Sequence, residues 1–356
     1  MKARSAALQG GLALAGLVAA YVTWQRPKDS GKTESVTIVD ASKNSLERVR
    51  YEDGTRFVEV EKKKDRLMVT LAFLPGKRPV FDAGVETPAP ALDGGADGGT
   101  LDGGPAVSVQ PPKPVEPPPD RTVFANDRAD TLWAKLTPFE GTRALGQLTK
   151  EKQDEVGLTG SERKLELQVA GQKRRFTISK PVSGLVGNYA QDESNGNVFL
   201  ISSSLFNELD PNSQLLVDRR LHLFKPTEYD GLTIKGDGKT ASFVWTGADV
   251  PATAKLARAA TPDKADELAK NWHEKIWNRM IVTEVLAAGE VPKVGEPVVR
   301  LRIDYTLKGQ PRGWLELGQD PTAGTWARSE NTPGWVSVHQ GTEEMILEGF
   351  KIAAGQ

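Results

Sequence analysis

The sequence contains two pairs of matching segments that are separated by the same distance along the chain. Residues 127–132 (DRADTL) match residues 263–268 (DKADEL), and the alternating segment 165–169 (LELQV) matches 301–305 (LRIDY). Both matches have an offset of 136 residues. A shared offset at two separate places predicts an internal duplication. Because the repeated positions are typical of fold determinants, they indicate an architecture and no reaction.

A third match has a larger offset. Residues 49–54 (VRYEDG) resemble residues 234–238 (IKGDG), about 184 positions later. Between these hairpins and the first DRADTL segment lies a stretch with 11 prolines and 8 glycines in residues 75–120. Such a composition cannot bury enough apolar surface to offset its ordering entropy. We therefore interpret residues 75–121 as a disordered or polyproline-like insertion within the first copy, and not as a boundary between two domains.

These patterns predict an α+β fold with an N-terminal transmembrane anchor and two copies of a hairpin–helix–antiparallel-meander unit. The first copy comprises residues 35–74 and 122–210, and the second comprises residues 211–350. Alternating apolar and polar residues predict the strands of each meander.

Each copy is predicted to contain one amphipathic helix. In the first, Asn126 is the N-cap, and one buried face follows at helical spacing: Ala129, Leu132, Trp133 and Leu136. In the second, Thr261 is the expected cap, and the equivalent face is Ala265, Leu268, Ala269 and Trp272. The aspartates Asp127, Asp130, Asp263 and Asp266 then fall in first helical turns. The positive end of the helix dipole favours acidic residues there, so catalysis is not needed to explain them.

The N-terminus predicts a membrane anchor. Lys2 and Arg4 precede an apolar run over residues 6–22, and Trp24 follows at the place of an interfacial aromatic residue. A run of about 17–20 residues is enough to cross a hydrocarbon core of about 30 Å. Residues 1–25 are therefore interpreted as a cytoplasmic stub and an uncleaved signal-anchor, with a cleaved signal peptide as the alternative. The expected location is the inner (cytoplasmic) membrane, single-pass, with the bulk of the chain extracytoplasmic or periplasmic.

Charge and cysteine content exclude several classes. The 46 Lys and Arg residues nearly balance the 47 Asp and Glu residues, so no basic face indicates nucleic acid as a partner. The chain has no cysteine, which excludes disulfides, thiolate nucleophiles and cysteine-ligated metals.

No residue pattern predicts a reaction. The histidines His222, His273 and His339 are far apart in sequence, and Trp277 stands where a metallopeptidase helix would carry a second histidine after His273. We expect solvated or capping histidines, and neither catalytic residues, nor a metal, nor a cofactor. An enzyme site formed between the copies from scattered Asp, Glu and His residues is the open alternative.

The tryptophans are concentrated in the second copy, which carries six of the eight. One interpretation is packing within the core and the sheet. The other is an exposed aromatic face that binds a glycan or a partner protein. The candidates for that face are Trp245, Trp314, Trp326 and Trp335.

The order of these features resembles the domain-of-unknown-function 4340 family. The resemblance rests on the anchor that ends at Arg26 and Pro27, the charged hairpin, the DRAD helix, and the segments 156–158 (VGL), 165–169 (LELQV) and 197–201 (NVFLI). It implies a bacterial membrane-anchored protein that is often associated with gliding-type ABC transport systems, with no established catalytic residues.

The expected function is therefore that of a non-enzymatic, membrane-anchored extracytoplasmic accessory or scaffold protein of an ABC-type transport or motility assembly. Its expected partners are the membrane, through the N-terminal helix, and membrane transport or motility proteins. The alternative is a cell-envelope glycan-binding module that uses the tryptophan-rich second copy.

Overall fold

Three antiparallel β-sheets contain most of the regular secondary structure in the described part of the chain. A computed structural model describes residues 35–79, 119–181, 187–247, 253–339 and 341–356. Within these ranges the chain forms 19 strands and five α-helices. The predicted α+β class is confirmed in this coarse, β-rich form. The predicted anchor, residues 1–25, and most of the predicted insertion, residues 80–118, lie outside the described residues.

The first large sheet has nine strands. They are β2 (Leu46–Glu52), β3 (Arg56–Lys63), β4 (Arg66–Phe73), β5 (Arg121–Phe124), β7 (Arg143–Gln147), β8 (Lys164–Val169), β9 (Gln172–Ile178), β10 (Asn188–Asp192) and β11 (Asn197–Ile201). Their order across the sheet is β5-β4-β3-β2-β8-β9-β10-β11-β7. Two further strands, β1 (Val36–Val39) and β6 (Phe139–Gly141), pair with each other as a separate small sheet.

The proline- and glycine-rich segment connects two strands that are neighbours in this sheet. β4 and β5 are antiparallel, and Leu71 pairs with Arg121. At the end of β4, the backbone N–H of Phe73 donates to Asp120 Oδ1 at 2.9 Å. The chain therefore leaves the sheet after β4 and returns to it at the adjacent position.

The second large sheet has eight strands. They are β12 (Gly231–Gly236), β13 (Lys239–Thr246), β14 (Lys255–Arg258), β15 (Val282–Val285), β16 (Val298–Leu307), β17 (Gln310–Gln319), β18 (Thr325–Ser329) and β19 (Val336–Val338). Their order is β14-β13-β12-β16-β17-β18-β19-β15. Asp237 and Gly238 join β12 to β13 with φ of 50° and 68°, the two positive values that a tight two-residue hairpin needs.

Five helices accompany the sheets. They are α1 (Asp127–Lys135), α2 (Lys150–Glu155), α3 (Ser204–Glu208), α4 (Glu267–Arg279) and α5 (Thr342–Ala354). The prediction for α1 is confirmed. Asn126 caps it by accepting from the backbone N–H of Arg128 at 3.0 Å, and its predicted apolar face is buried. Asp127 and Asp130 lie in its first turn, where the helix dipole favours acidic residues.

The predicted start of the second helix is wrong. The N-cap of α4 is Asp266, whose Oδ1 accepts from the backbone N–H of Ala269 at 3.0 Å, and Thr261 lies outside the helix. Residues 259–264 form turns and bends. The helix cannot begin before Asp266 because Ala265 forms a bridge with Ala257, and the N–H of Asp266 donates to the carbonyl of Leu256 at 2.8 Å. As a result, the sequence match 263–268 is mostly a loop, whereas its counterpart 127–132 is entirely helical.

Because α4 begins later than predicted, its buried face also differs from the predicted one. Leu268 is 55% exposed and Ala265 is exposed, in contrast to the prediction. The residues that the helix does bury are Ala269, Trp272, His273 and Ile276. Counted from the two caps, these positions match Ala129, Leu132, Trp133 and Leu136 of α1, at an offset of 140 and not 136.

The two C-terminal helices pack closely against each other and against the second sheet. Trp272 of α4 is almost fully buried, and its indole N–H donates to the carbonyl of Met345 in α5 at 2.7 Å. The close approach depends on Gly349, since a Cβ atom there would lie 2.9 Å from both Trp272 and Leu301. One continuous apolar core includes residues of both large sheets.

Candidate functional site

The tryptophans proposed for an exposed aromatic face are mostly buried. Trp245, Trp326 and Trp335 are 5%, 8% and 4% exposed, which fits the interpretation as core and sheet packing. Trp314 alone among the four candidates is half-buried, and the guanidinium of Arg302 lies 5.1 Å from its ring centre. These four residues therefore do not form a common exposed face.

Two of the three histidines come together in the second half of the chain. The rings of His222 and His273 lie 5.2 Å and 6.1 Å from the ring of Tyr305, and both also face Trp277. With their aromatic neighbours they form what we call the aromatic–histidine cluster: His222, Phe224, Tyr229, Trp245, His273, Trp277 and Tyr305. The expectation of solvated or capping histidines is wrong for His222 and His273, whereas His339 is exposed as expected.

His273 is the central hydrogen-bond acceptor of this cluster. Its Nε2 lies 2.9 Å from the indole nitrogen of Trp277 and 3.0 Å from the hydroxyl of Tyr229. Because an indole N–H can only donate, Nε2 must carry the lone pair, and the ring proton of the neutral imidazole resides on Nδ1. Burial, with a smaller contribution from nearby His222, lowers the pKa of His273 to about 3. The side chain is therefore neutral at physiological pH.

The hydrogen bond between Trp277 and His273 bears on whether α4 can bind a metal. The two side chains lie one turn apart on α4, at the spacing a metal-binding helix would use for two histidines. Here the second position supplies a donor that occupies the lone pair of the first, so Nε2 is not available to a metal. In the described part of the chain, no group of three or more His, Asp or Glu residues is arranged to hold a metal ion.

His222 is held in place by three consecutive residues at the end of β18, namely its last residue and the two that follow it. Its Nδ1 lies 2.8 Å from Glu330 Oε1, while the hydroxyl of Ser329 donates to the carbonyl of Leu221. The side-chain amide of Asn331 donates to the carbonyl of Arg220 at 2.7 Å. Ser329 and Asn331 are both buried, so their hydrogen bonds fix the backbone of Arg220 and Leu221, the two residues that precede the histidine. The side chain of His222 is only 5% exposed.

Several buried polar atoms of the cluster have no hydrogen-bond partner among the described residues. They are His222 Nε2, His273 Nδ1 and the hydroxyl of Tyr305. Burial raises the pKa of both Tyr229 and Tyr305, so both phenols are protonated and neutral. The cluster is therefore a buried aromatic core with three unpaired polar atoms, and neither phenol is ionised as a tyrosine nucleophile would need to be.

A second candidate region is a wide cleft where the two large sheets meet at their edges. β5 is an edge strand of the first sheet, and β15 is an edge strand of the second. Arg121 of β5 bonds to Glu284 of β15 at 2.7 Å and to Glu290, in the following loop, at 3.0 Å. These ion pairs join the two edges, and beside them opens a cleft of about 1190 Å³. We call it the edge cleft.

The walls of the edge cleft carry both apolar and charged groups. Val291 and Val294 line it and are 49% and 46% exposed. Asp320 lines it as well, but its carboxylate already accepts from Thr322, Gly324 and Trp326 and has a structural role. A large, open, mixed surface of this kind fits a segment of another macromolecule better than a small substrate.

The sequence contained one signal for the aromatic–histidine cluster. The matching segments 165–169 and 301–305 end with Val169 and Tyr305, and Tyr305 lies at the centre of the cluster. The partners Tyr229 and Glu330 carried no pattern of their own. Arg121 was not singled out because it is the last residue of the predicted insertion, residues 75–121, although the structure places it in β5.

No helix of the described ranges is long and apolar enough to cross a membrane. Comparison of the chain with protein-family models, with curated proteins and with solved structures gave no match.

Proposed function

We propose that this chain is a non-enzymatic, membrane-anchored extracytoplasmic accessory or scaffold protein of an ABC-type membrane transport or motility assembly. The observation that carries the proposal is the edge cleft, a preformed cleft between the two large sheets with a volume of about 1190 Å³. The apolar run over residues 6–22 supports the anchor, and the resemblance to the domain-of-unknown-function 4340 family supports the kind of assembly.

The scaffold is proposed to have arisen by duplication of one unit. Eight strands of each large sheet support this origin, because they occur in the same order along the chain and across the sheet. The order across the first sheet is β4-β3-β2-β8-β9-β10-β11-β7, and the order across the second is β14-β13-β12-β16-β17-β18-β19-β15. The helices α1 and α4 precede the equivalent edge strands β7 and β15 in both. Tyr51 pairs with Leu165 in the first sheet, and Gly236 pairs with Leu301 in the second. The offset from Tyr51 to Gly236 is 185 residues and that from Leu165 to Leu301 is 136, close to the offsets of the matching sequence segments.

The partner would occupy the edge cleft. Val291 and Val294 offer apolar contacts on one wall, while the Arg121 ion pairs form the polar floor where the sheets meet. Interfaces of this type combine a small apolar centre with a polar rim. The partner is a subunit of the same membrane assembly, because the anchor would confine the chain to the surface where that subunit lies.

Copurification tests the proposal. The full-length chain is extracted from its own membrane in mild detergent and purified by an affinity tag, together with the variants Val291→Asp and Leu268→Asp. Leu268 is a matched control, since it is a comparably exposed apolar residue (55%) on α4, outside the edge cleft.

We expect transport or motility subunits to copurify with the wild type and with Leu268→Asp, and to be lost from Val291→Asp. A charge placed in an apolar contact must be desolvated without a partner. Purification of the wild-type chain alone, or retention of the subunits by Val291→Asp, would contradict the proposal.

A further inference from the structure

One wall of the edge cleft is apolar and is held in shape by contacts within the chain. Val291 and Val294 line the cleft, and both are exposed. The loop that carries them is fixed at its start, because the backbone N–H of Leu286 donates to the carbonyl of Trp335 at 3.0 Å. Leu286 and Trp335 also form a small buried apolar cluster with Trp326. The apolar wall is therefore preorganised, which lowers the cost of binding.

The charge of the edge cleft is negative. Its lining carries four carboxylates and two cations, which are Glu284, Glu290, Asp320 and Glu343 against Arg121 and Lys293. Although burial opposes its ionisation, hydrogen bonds from Trp326 and Thr322 hold the pKa of Asp320 below its usual value, so this carboxylate is charged as well. The lining therefore has a formal net charge of −2. A cleft with an excess of one sign of charge attracts ligands of the opposite sign.

Two of the four carboxylates are accessible to a partner. Glu284 shares the guanidinium of Arg121 with Glu290, and its side chain is partly exposed. The side chain of Arg121 is largely buried, so its charge is directed toward these two carboxylates. Glu343 is exposed in the first turn of α5 and forms no ion pair within the described part of the chain. A ligand in the cleft therefore meets carboxylates beside the apolar wall.

We propose that the edge cleft binds a segment of its partner in which lysine or arginine residues are interleaved with aliphatic residues. The aliphatic side chains pack against Val291 and Val294, and the cations lie beside Glu284 and Glu343. Opposite charges across an interface select the partner and speed its association, whereas an acidic segment is repelled. This inference rests on the proposed function, since it names the chemistry of the partner that occupies the same cleft.

Peptide binding to the purified full-length chain tests the inference. Three fluorescein-labelled peptides are titrated in the same detergent, and in them valine alternates with lysine, glutamine or glutamate. Fluorescence anisotropy should show saturable binding of the lysine peptide, about tenfold weaker binding of the glutamine peptide and no binding of the glutamate peptide. Salt at about 1 M, where the Debye length is about 3 Å, should bring the affinity of the lysine peptide close to that of the glutamine peptide.

A matched pair of variants locates the contact. Glu343→Gln removes a charge that lines the cleft, whereas Glu344→Gln removes the charge of its exposed neighbour, which does not line the cleft. Glu343→Gln should weaken binding of the lysine peptide about twofold to fivefold, the range of an exposed ion pair, and Glu344→Gln should bind it like the wild type. The inference is overturned if no peptide binds saturably, if the three peptides bind equally, or if the two variants bind the lysine peptide equally well.

The peptide titration and the copurification fail in different ways. If subunits copurify with the wild type but the lysine peptide is not preferred, the proposed function stands and the basic segment is overturned. If the lysine peptide is preferred but no subunit copurifies, the chemistry of the cleft is supported and the membrane assembly is contradicted.

Discussion

Nδ1 of His222 lies 2.8 Å from Oε1 of Glu330, although 108 residues separate the two along the chain. The second carboxylate oxygen of Glu330 accepts from the backbone N–H of Trp314 at 2.8 Å. One side chain thus joins the segment before β12 to β17 and to the loop after β18. Because a carboxylate can only accept, the pair places a proton of His222 on Nδ1.

Removing this carboxylate should destabilise the protein. Glu330→Ala leaves His222 Nδ1 and the N–H of Trp314 without their acceptor, and we expect a loss of about 1–3 kcal/mol in the free energy of unfolding. Glu330→Gln keeps an acceptor oxygen and should lose less. Urea unfolding of the three proteins measures the difference. Equal stability of Glu330→Ala and the wild type would show that the pair does not hold the loop.

The buried His273 should make stability depend on pH. Its pKa is about 3 in the folded chain and near 6.5 when unfolded, so the unfolded chain binds more protons below pH 6.5. The stabilisation is fully present above pH 6.5. It is lost as the pH falls toward 3, by up to about 1.4 kcal/mol per pH unit.

The variant His273→Gln isolates this contribution, since its amide oxygen can still accept from Trp277 but does not titrate. Urea unfolding between pH 7 and pH 4 should give a steeper decline for the wild type than for the variant. Carboxylates titrate equally in both proteins and cancel in the comparison. Parallel pH profiles would contradict the assignment of a buried, neutral imidazole.

The packing of α5 on α4 should be intolerant of a single added methyl group. A Cβ at Gly349 would lie 2.9 Å from Trp272, which is only 1% exposed and cannot move aside. Overpacking costs about 1–3 kcal/mol, which exceeds the helix-propensity gain of about 0.5–1 kcal/mol from Gly to Ala. Leu347→Ala, at an exposed site on the same helix, should be nearly neutral. If Gly349→Ala proves more stable than the wild type in thermal unfolding, the close contact is not rigid.

The ion pairs of Arg121 should control the opening of the edge cleft. Arg121 contacts Glu290 through both Nε and Nη2, and Glu290 also accepts from the backbone N–H of Ala287. In Arg121→Met the stem remains but the charge is lost, so residues 286–297 should exchange their amide hydrogens faster. Hydrogen-exchange mass spectrometry measures this, with Arg143→Met as the control. Unchanged exchange in Arg121→Met would mean that the loop is held by other contacts.

The sequence predicted strands well wherever local alternation and turn residues decide them. The segments 165–169 and 197–201, which the sequence analysis singled out, lie in β8 (Lys164–Val169) and β11 (Asn197–Ile201). The start of α4 was predicted wrongly because a tertiary contact, the bridge of Ala265 to Ala257, overrides the local capping signal of Thr261. Propensity is a weak guide where another strand can pair with the same backbone.

The site could not be predicted for a related reason. Its contacts join residues that are distant along the chain: His222 with Glu330 over 108 positions and Arg121 with Glu290 over 169. The neutrality of His273 follows from complete burial, which the spacing of a single histidine on a helix does not reveal. The tryptophans show the same limit, since their enrichment in the second half fits a buried core as well as an exposed face.

Site-specific photo-crosslinking in the native membrane tests the proposed function most directly. Benzoylphenylalanine is placed at Val291 in the edge cleft, or at Leu347 on the exposed face of α5. We predict an adduct with a transport or motility subunit, identified by mass spectrometry, from position 291 and none from position 347. No such adduct from position 291, or the same adducts from both positions, would contradict the assignment of the edge cleft as the surface that joins this chain to a membrane assembly.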